Sequence, residues 1–105
     1  MTGILKKIIS YIIYLTEPEE IILFGSFAER KNNLYSDIDL LIITDRIVNK
    51  RETESRVMDF IREFSLKSDV LIHTQTVKEK ALKEPLSFLG SIIKKGTVVY
   101  KRVAF

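Results

Sequence analysis

At 105 residues, 46% hydrophobic and 30% charged, the chain has the size and composition of one globular domain, 1–105, rather than a disordered segment. It has no cysteine, which excludes disulfides and thiolate metal sites and is compatible with a reducing cytoplasm, the location expected here. The net charge of +3 is spread over Arg30–Lys31, Lys50–Arg51, Lys78 to Lys83 and Lys94–Lys95. That spacing reads as a solvated face, so direct nucleic-acid binding is not expected, although a weak attraction for nucleotides is retained.

In chain order, Ile4, Leu5, Ile8, Ile9, Ile12 and Ile13 recur at helical spacing and predict a first helix over about Ile4 to Leu15. Lys6 and Lys7 interrupt this stretch, and it falls short of the roughly 20 apolar residues that cross a bilayer, so no membrane partner is expected. Pro18 blocks its continuation. Ile21 to Phe24, ending at Gly25, reads as a short buried strand. Ser26 and Glu29 have capping-box spacing and predict a short helix from Ser26, with Asn32–Asn33 as its turn.

Asp37 to Thr44 is the second strand. Asn49 and Glu52 cap a helix from about Lys50 to Leu66, with Val57, Phe60, Ile61 and Phe64 as its apolar stripe. Asp69 to Thr74 is the third strand. Thr76 and Glu79 repeat the capping-box spacing for a helix ending near Glu84–Pro85. Leu86 to Lys95 is the last helix, stopped by Gly96. Thr97 to Tyr100 closes the sheet at an edge. Strands alternating with helices indicate an α/β or α+β domain, and the absence of repeats or Pro/Gly-rich linkers gives no sign of a second one.

Three features carry chemistry. At Gly25-Ser26 a strand turns into a capped helix, where glycine allows close backbone approach and free N–H groups suit a phosphate. In Asp37-Ile38-Asp39 the alternation of strand side chains puts both carboxylates on one face, roughly 6.5–7 Å apart. Asp69 opens the third strand, and lies level with Asp37 and Asp39 if that strand neighbours the second. Three carboxylates converging without a side-chain cation suit hard divalent ions, magnesium with nucleotide phosphates above all. Each feature has a plainer reading alone: a turn and cap, a solvated strand entrance, a turn residue. Together they form G-S-x10-D-x-D, expected by chance in roughly one chain per thousand of this length. His73, the only histidine, reads as a core or edge residue, and Tyr11, Tyr14, Tyr35 and Tyr100 read as packing residues.

The stretch Leu23-Phe24-Gly25-Ser26-Phe27-Ala28 followed by Ser36-Asp37-Ile38-Asp39-Leu40-Leu41 resembles the polymerase-β-like nucleotidyltransferases, specifically the minimal single-domain MNT group. Ser68-Asp69-Val70-Leu71 resembles their third-carboxylate strand, and Ile92 to Tyr100 their closing helix and strand. The family often continues after Gly-Ser as x-Ala-Arg-Gly, whereas this chain has Glu29 where arginine is common and Arg30 where glycine is usual.

The resemblance implies a small mixed sheet flanked by helices and transfer of a nucleoside monophosphate, AMP from ATP, onto a hydroxyl. It implies that Gly25 and Ser26 hold the triphosphate, with Arg30 as a further candidate contact. It also implies that Asp37, Asp39 and Asp69 hold two Mg2+ ions and carry catalysis. Only a short basic tail follows Tyr100, so the acceptor site is expected to be completed by another chain. The resemblance names it as a helical HEPN toxin modified on a tyrosine, making this chain the antitoxin of a hetero-oligomeric pair. A binding module that neutralises its partner by contact is the alternative, and a carboxylate nuclease a third reading with no role for Gly25-Ser26.

Overall fold

The computed structural model describes residues 3–25, 38–47 and 49–103. Along these run α1 (Gly3–Thr16), β1 (Glu20–Phe24), β2 (Ile38–Ile43), α2 (Lys50–Arg62), β3 (Ser68–His73), α3 (Gln75–Leu82), α4 (Phe88–Lys95) and β4 (Thr97–Lys101). The four strands form one mixed sheet in the order β3-β2-β1-β4. β1 runs antiparallel to both β2 and β4, while β2 and β3 are parallel, which their long connection through α2 allows. β4 sits at the edge as expected, with a register shift between Ile21 and Ile22 of β1.

The period-two alternation of the central strands sends side chains into two cores. On one face Ile21, Leu23, Ile38, Leu40, Ile42, Val70 and Ile72 pack with Leu5, Ile8, Ile9 and Ile12 of α1 and Val57 and Ile61 of α2. On the other, Ile22, Leu41 and Ile43 pack with Ile92 of α4. This is why β2 is apolar on both sides while β3 alternates. Each aliphatic side chain fully buried here contributes roughly 1.5–3 kcal/mol. Tyr11 of α1 stacks on Phe60 of α2 at 4.2 Å between ring centroids, and Phe60 meets Phe64 edge-on at 5.5 Å. Tyr11 is thus a packing residue, but Tyr14 is 82% exposed and is not. Tyr35 lies outside the described residues.

Local chemistry fixes the element ends. At the end of α1 the Thr16 hydroxyl donates to the Ile12 carbonyl, and the buried Thr44 hydroxyl after β2 donates to the Thr16 carbonyl, each at 2.9 Å. Asn49 caps α2 as expected, its Oδ1 accepting from the Glu52 amide at 3.0 Å. That helix ends at Arg62 rather than near Leu66, because Ser65 turns into the left-handed region at φ 61°.

The cap of α3 is Thr74, not Thr76: its Oγ1 accepts from the Val77 amide at 3.2 Å. Asp45, from the segment after β2, takes the Gln75 amide at 3.2 Å and so starts the helix as soon as β3 ends. A separate cap at Ser87, accepting from the Gly90 amide, starts α4 at Phe88 instead of Leu86.

Gly96 does end α4, but with φ −75° it is extended rather than left-handed. Its side chain is missing for want of space, since a Cβ there would sit 2.7 Å from the Ile92 carbonyl oxygen and 3.0 Å from that of Leu23. The capping box expected at Ser26 and Glu29 and the turn at Asn32–Asn33 lie outside the described residues. Among the described residues no helix is long and apolar enough to cross a membrane.

Candidate active site

With β1 antiparallel to β2 and β2 parallel to β3, the last residue of β1 and the first residues of β2 and β3 arrive at one end of the sheet. There Phe24 pairs with Asp39, and Asp39 pairs in register with Asp69. The two aspartates are therefore direct cross-strand neighbours, with backbones about 4.8 Å apart. Both belong to the alternation of Leu41, Ile43 and Leu71, so they share the face of the sheet covered by α4. Asp39 is half-buried and Asp69 exposed. Among the described residues no group of three acidic or histidine side chains forms a metal cluster. Asp37, Ser26 and Arg30 lie outside the described residues.

Gly25 follows β1 with φ 78°, a conformation that L side chains rarely adopt. A Cβ at this position would run into Oδ2 of Asp39, whose Cγ would stand only 3.1 Å away. The glycine thus has a second purpose beyond the close ligand approach read from sequence: it clears the space in which the Asp39 carboxylate lies. The signal for this was the strand pairing, because only β1 against β2 in this register puts Gly25 beside Asp39.

His73 occupies the far end of β3, paired with Ile43 and roughly 13 Å along the strand from Asp69. Burial lowers its pKa from the ordinary value of 6.5; the Lys50 charge lowers it further, and Glu54 opposes them. It lines a separate cleft of about 200 Å³ with Thr44, Asp45, Lys50 and Thr74, and takes no part in the carboxylate site. Sequence reasoning did not find the cavity of about 550 Å³ immediately before Asp69, lined by Met58, Arg62, Ser65, Leu66, Lys67 and Ser68. Its residues come from a helix end, a loop and a strand start, and carry no local motif.

The backbone arrangement is shared with a solved structure from Sulfolobus solfataricus, a protein assigned provisionally as a nucleotidyltransferase. The two match with a TM-score of 0.61 and 22% identity over 94% of this chain and 78% of the other, which shows the common fold. A comparison with curated proteins finds no match. The model of the family described as polymerase beta, nucleotidyltransferase, matches residues 6–104. Because this family model spans nearly the whole sequence, the chain belongs to the polymerase beta nucleotidyltransferases.

Proposed function

We propose that this nucleotidyltransferase moves AMP from ATP to a hydroxyl of a partner protein, a tyrosine of a HEPN-type helical toxin, and thereby serves as its antitoxin. The observation that carries the reading is the in-register pairing of Asp39 with Asp69 beside the side-chain-free Gly25. Exposed Leu82, Leu86 and Phe88 around the corner between α3 and α4 leave apolar surface of the kind that partners cover, which supports the hetero-oligomer.

The donor chemistry fits Mg2+. Among the described residues Asp39 and Asp69 bring carboxylate oxygens together while His73 stands at the opposite end of β3, and hard oxygen donors suit this ion. Asp39 and Asp69, with Asp37, would hold it. When bound, divalent ions neutralise the phosphate charge and steady the attacking and leaving oxygens of an in-line displacement. The chain's own residues do the rest by position. Gly25 and Ser26, with Arg30, hold the triphosphate. The acceptor oxygen attacks the α-phosphorus, the bond to the bridging oxygen breaks, and pyrophosphate leaves with the electron pair. The hydroxyl proton passes to Asp69, whose exposure keeps it open to an incoming acceptor.

The test is mass spectrometry of the chain incubated with ATP, Mg2+ and the HEPN partner, beside an Asp39→Asn control. A gain of one or more AMP units on the partner, absent in the control, is the expected result. Stoichiometric neutralisation by the control with no mass gain in either sample would establish the binding-module alternative instead.

A further inference from the structure

A row of positions crosses one end of the sheet. The strand order β3-β2-β1-β4 and the pairing register bring Asp69, Asp39 and Gly25 to the neighbouring ends of β3, β2 and β1. β4 begins at the same end, since Thr97 pairs with Leu23, just before Gly25. α4 delivers the chain to that point, and its last residues are Lys94 and Lys95. Gly96 holds this last turn against β1, where a Cβ would stand 3.0 Å from the Leu23 carbonyl oxygen. α4 also covers the face to which strand alternation assigns Asp39 and Asp69. The lysines therefore share the end and the face of the carboxylates, with Gly25 between them in the strand order.

Helical geometry separates the two lysines. Ile92 is the buried residue of this turn and faces the sheet. At about 100° per residue, Lys94 lies about 160° from the direction of Ile92, whereas Lys95 lies about 60° from it, on the flank of the sheet-facing stripe. Both are exposed, and among the described residues neither forms an ion pair. A cation in the last turn also complements the helix dipole, but that role belongs to both lysines alike.

We propose that Lys95 is a triphosphate-binding residue, which holds the phosphates that leave as pyrophosphate. The row gives the reaction its direction. Asp69, open to an acceptor, stands at one extreme, Gly25 in the middle and Lys95 at the other. An in-line displacement needs the acceptor and the leaving group on opposite sides of the α-phosphorus, and this order supplies that. The carboxylates of Asp39 and Asp69 repel the outer phosphates, and a cation on the far side of Gly25 counters the repulsion. As the bond from the α-phosphorus to the bridging oxygen breaks, pyrophosphate takes the electron pair. The Lys95 ammonium keeps its protons and donates charge-assisted hydrogen bonds to the departing oxygens. The inference rests on the transfer reading, but triphosphate binding is measurable without transfer.

Isothermal titration of the full chain with ATP and with AMP, each in Mg2+ and without a partner, tests it. Lys95→Met should weaken ATP binding at least about tenfold and leave AMP binding within about twofold, because AMP lacks the outer phosphates. Lys95→Arg should restore part of the loss, and Lys94→Met should bind ATP like the parent. Unchanged ATP affinity in Lys95→Met would overturn the proposal, as would an equal loss for AMP or an equal loss in Lys94→Met. Those results leave the transfer reading standing, since that is tested on Asp39→Asn. A parent chain that binds no ATP would end both.

Discussion

Gly25 and Asp39 are coupled through space before any ligand enters, because the glycine's missing side chain is where the aspartate's carboxylate lies. Gly25→Ala should cost about 1–2 kcal/mol from its positive φ alone. It should also lower transfer beyond that loss, because the carboxylate must move; urea denaturation and initial rates on the same variant separate the two effects. Asp69→Asn, at an exposed position, should leave stability within about 0.5 kcal/mol of the parent. Its transfer rate should fall about 100-fold or more, measured under saturating ATP. From sequence, Asp39 and Asp69 were legible as level neighbours only if the third strand lay beside the second, and the parallel β2–β3 pairing supplies that condition. The clash that explains Gly25 was not legible, since it depends on which residue of β1 faces Asp39 across the sheet.

Along single elements, the sequence pattern predicts what periodicity controls and misses what distant partners decide. Asn49 and its bond to Glu52 are local and were foreseen. Thr74 as the cap of α3 was not, because Asp45 reaches the Gln75 amide from thirty residues away and settles where the helix starts. Likewise β1 begins at Glu20, a buried carboxylate that a strand of Ile21 to Phe24 leaves out. It is tolerated because Lys78 of α3 pairs with it, with both side chains largely buried. Lys78→Met should therefore destabilise the protein by about 3–5 kcal/mol by stranding Glu20, and Glu20→Leu/Lys78→Met should recover much of that loss in urea titrations.

His73 adds a pH dependence on β3. Its folded pKa lies below the ordinary 6.5, so above that pH it contributes nothing. As pH falls through 6.5 the unfolded chain takes up the proton first, and stability drops until the folded imidazole protonates too. The parent should lose more stability than His73→Gln between neutral pH and the folded pKa, read as the difference between their denaturation midpoints.

For the whole molecule, strands alternating with helices were legible from pattern and a small mixed sheet from the family resemblance, whereas the placement of α1 and α2 on one face and α4 on the other emerges only from the folded packing. What the outline does not reveal is the groove between α2 and β3, assembled from residues that share no motif. The sheet brings Asp39, Asp69 and Gly25 to one corner, on the face covered by α4. That juxtaposition makes transfer to a bound acceptor the central claim. The most direct measurement is intact-protein mass of the HEPN partner after incubation with this chain, ATP and Mg2+. A gain of AMP units that disappears with Asp39→Asn or Asp69→Asn is the expected result. Full transfer by both variants would contradict it.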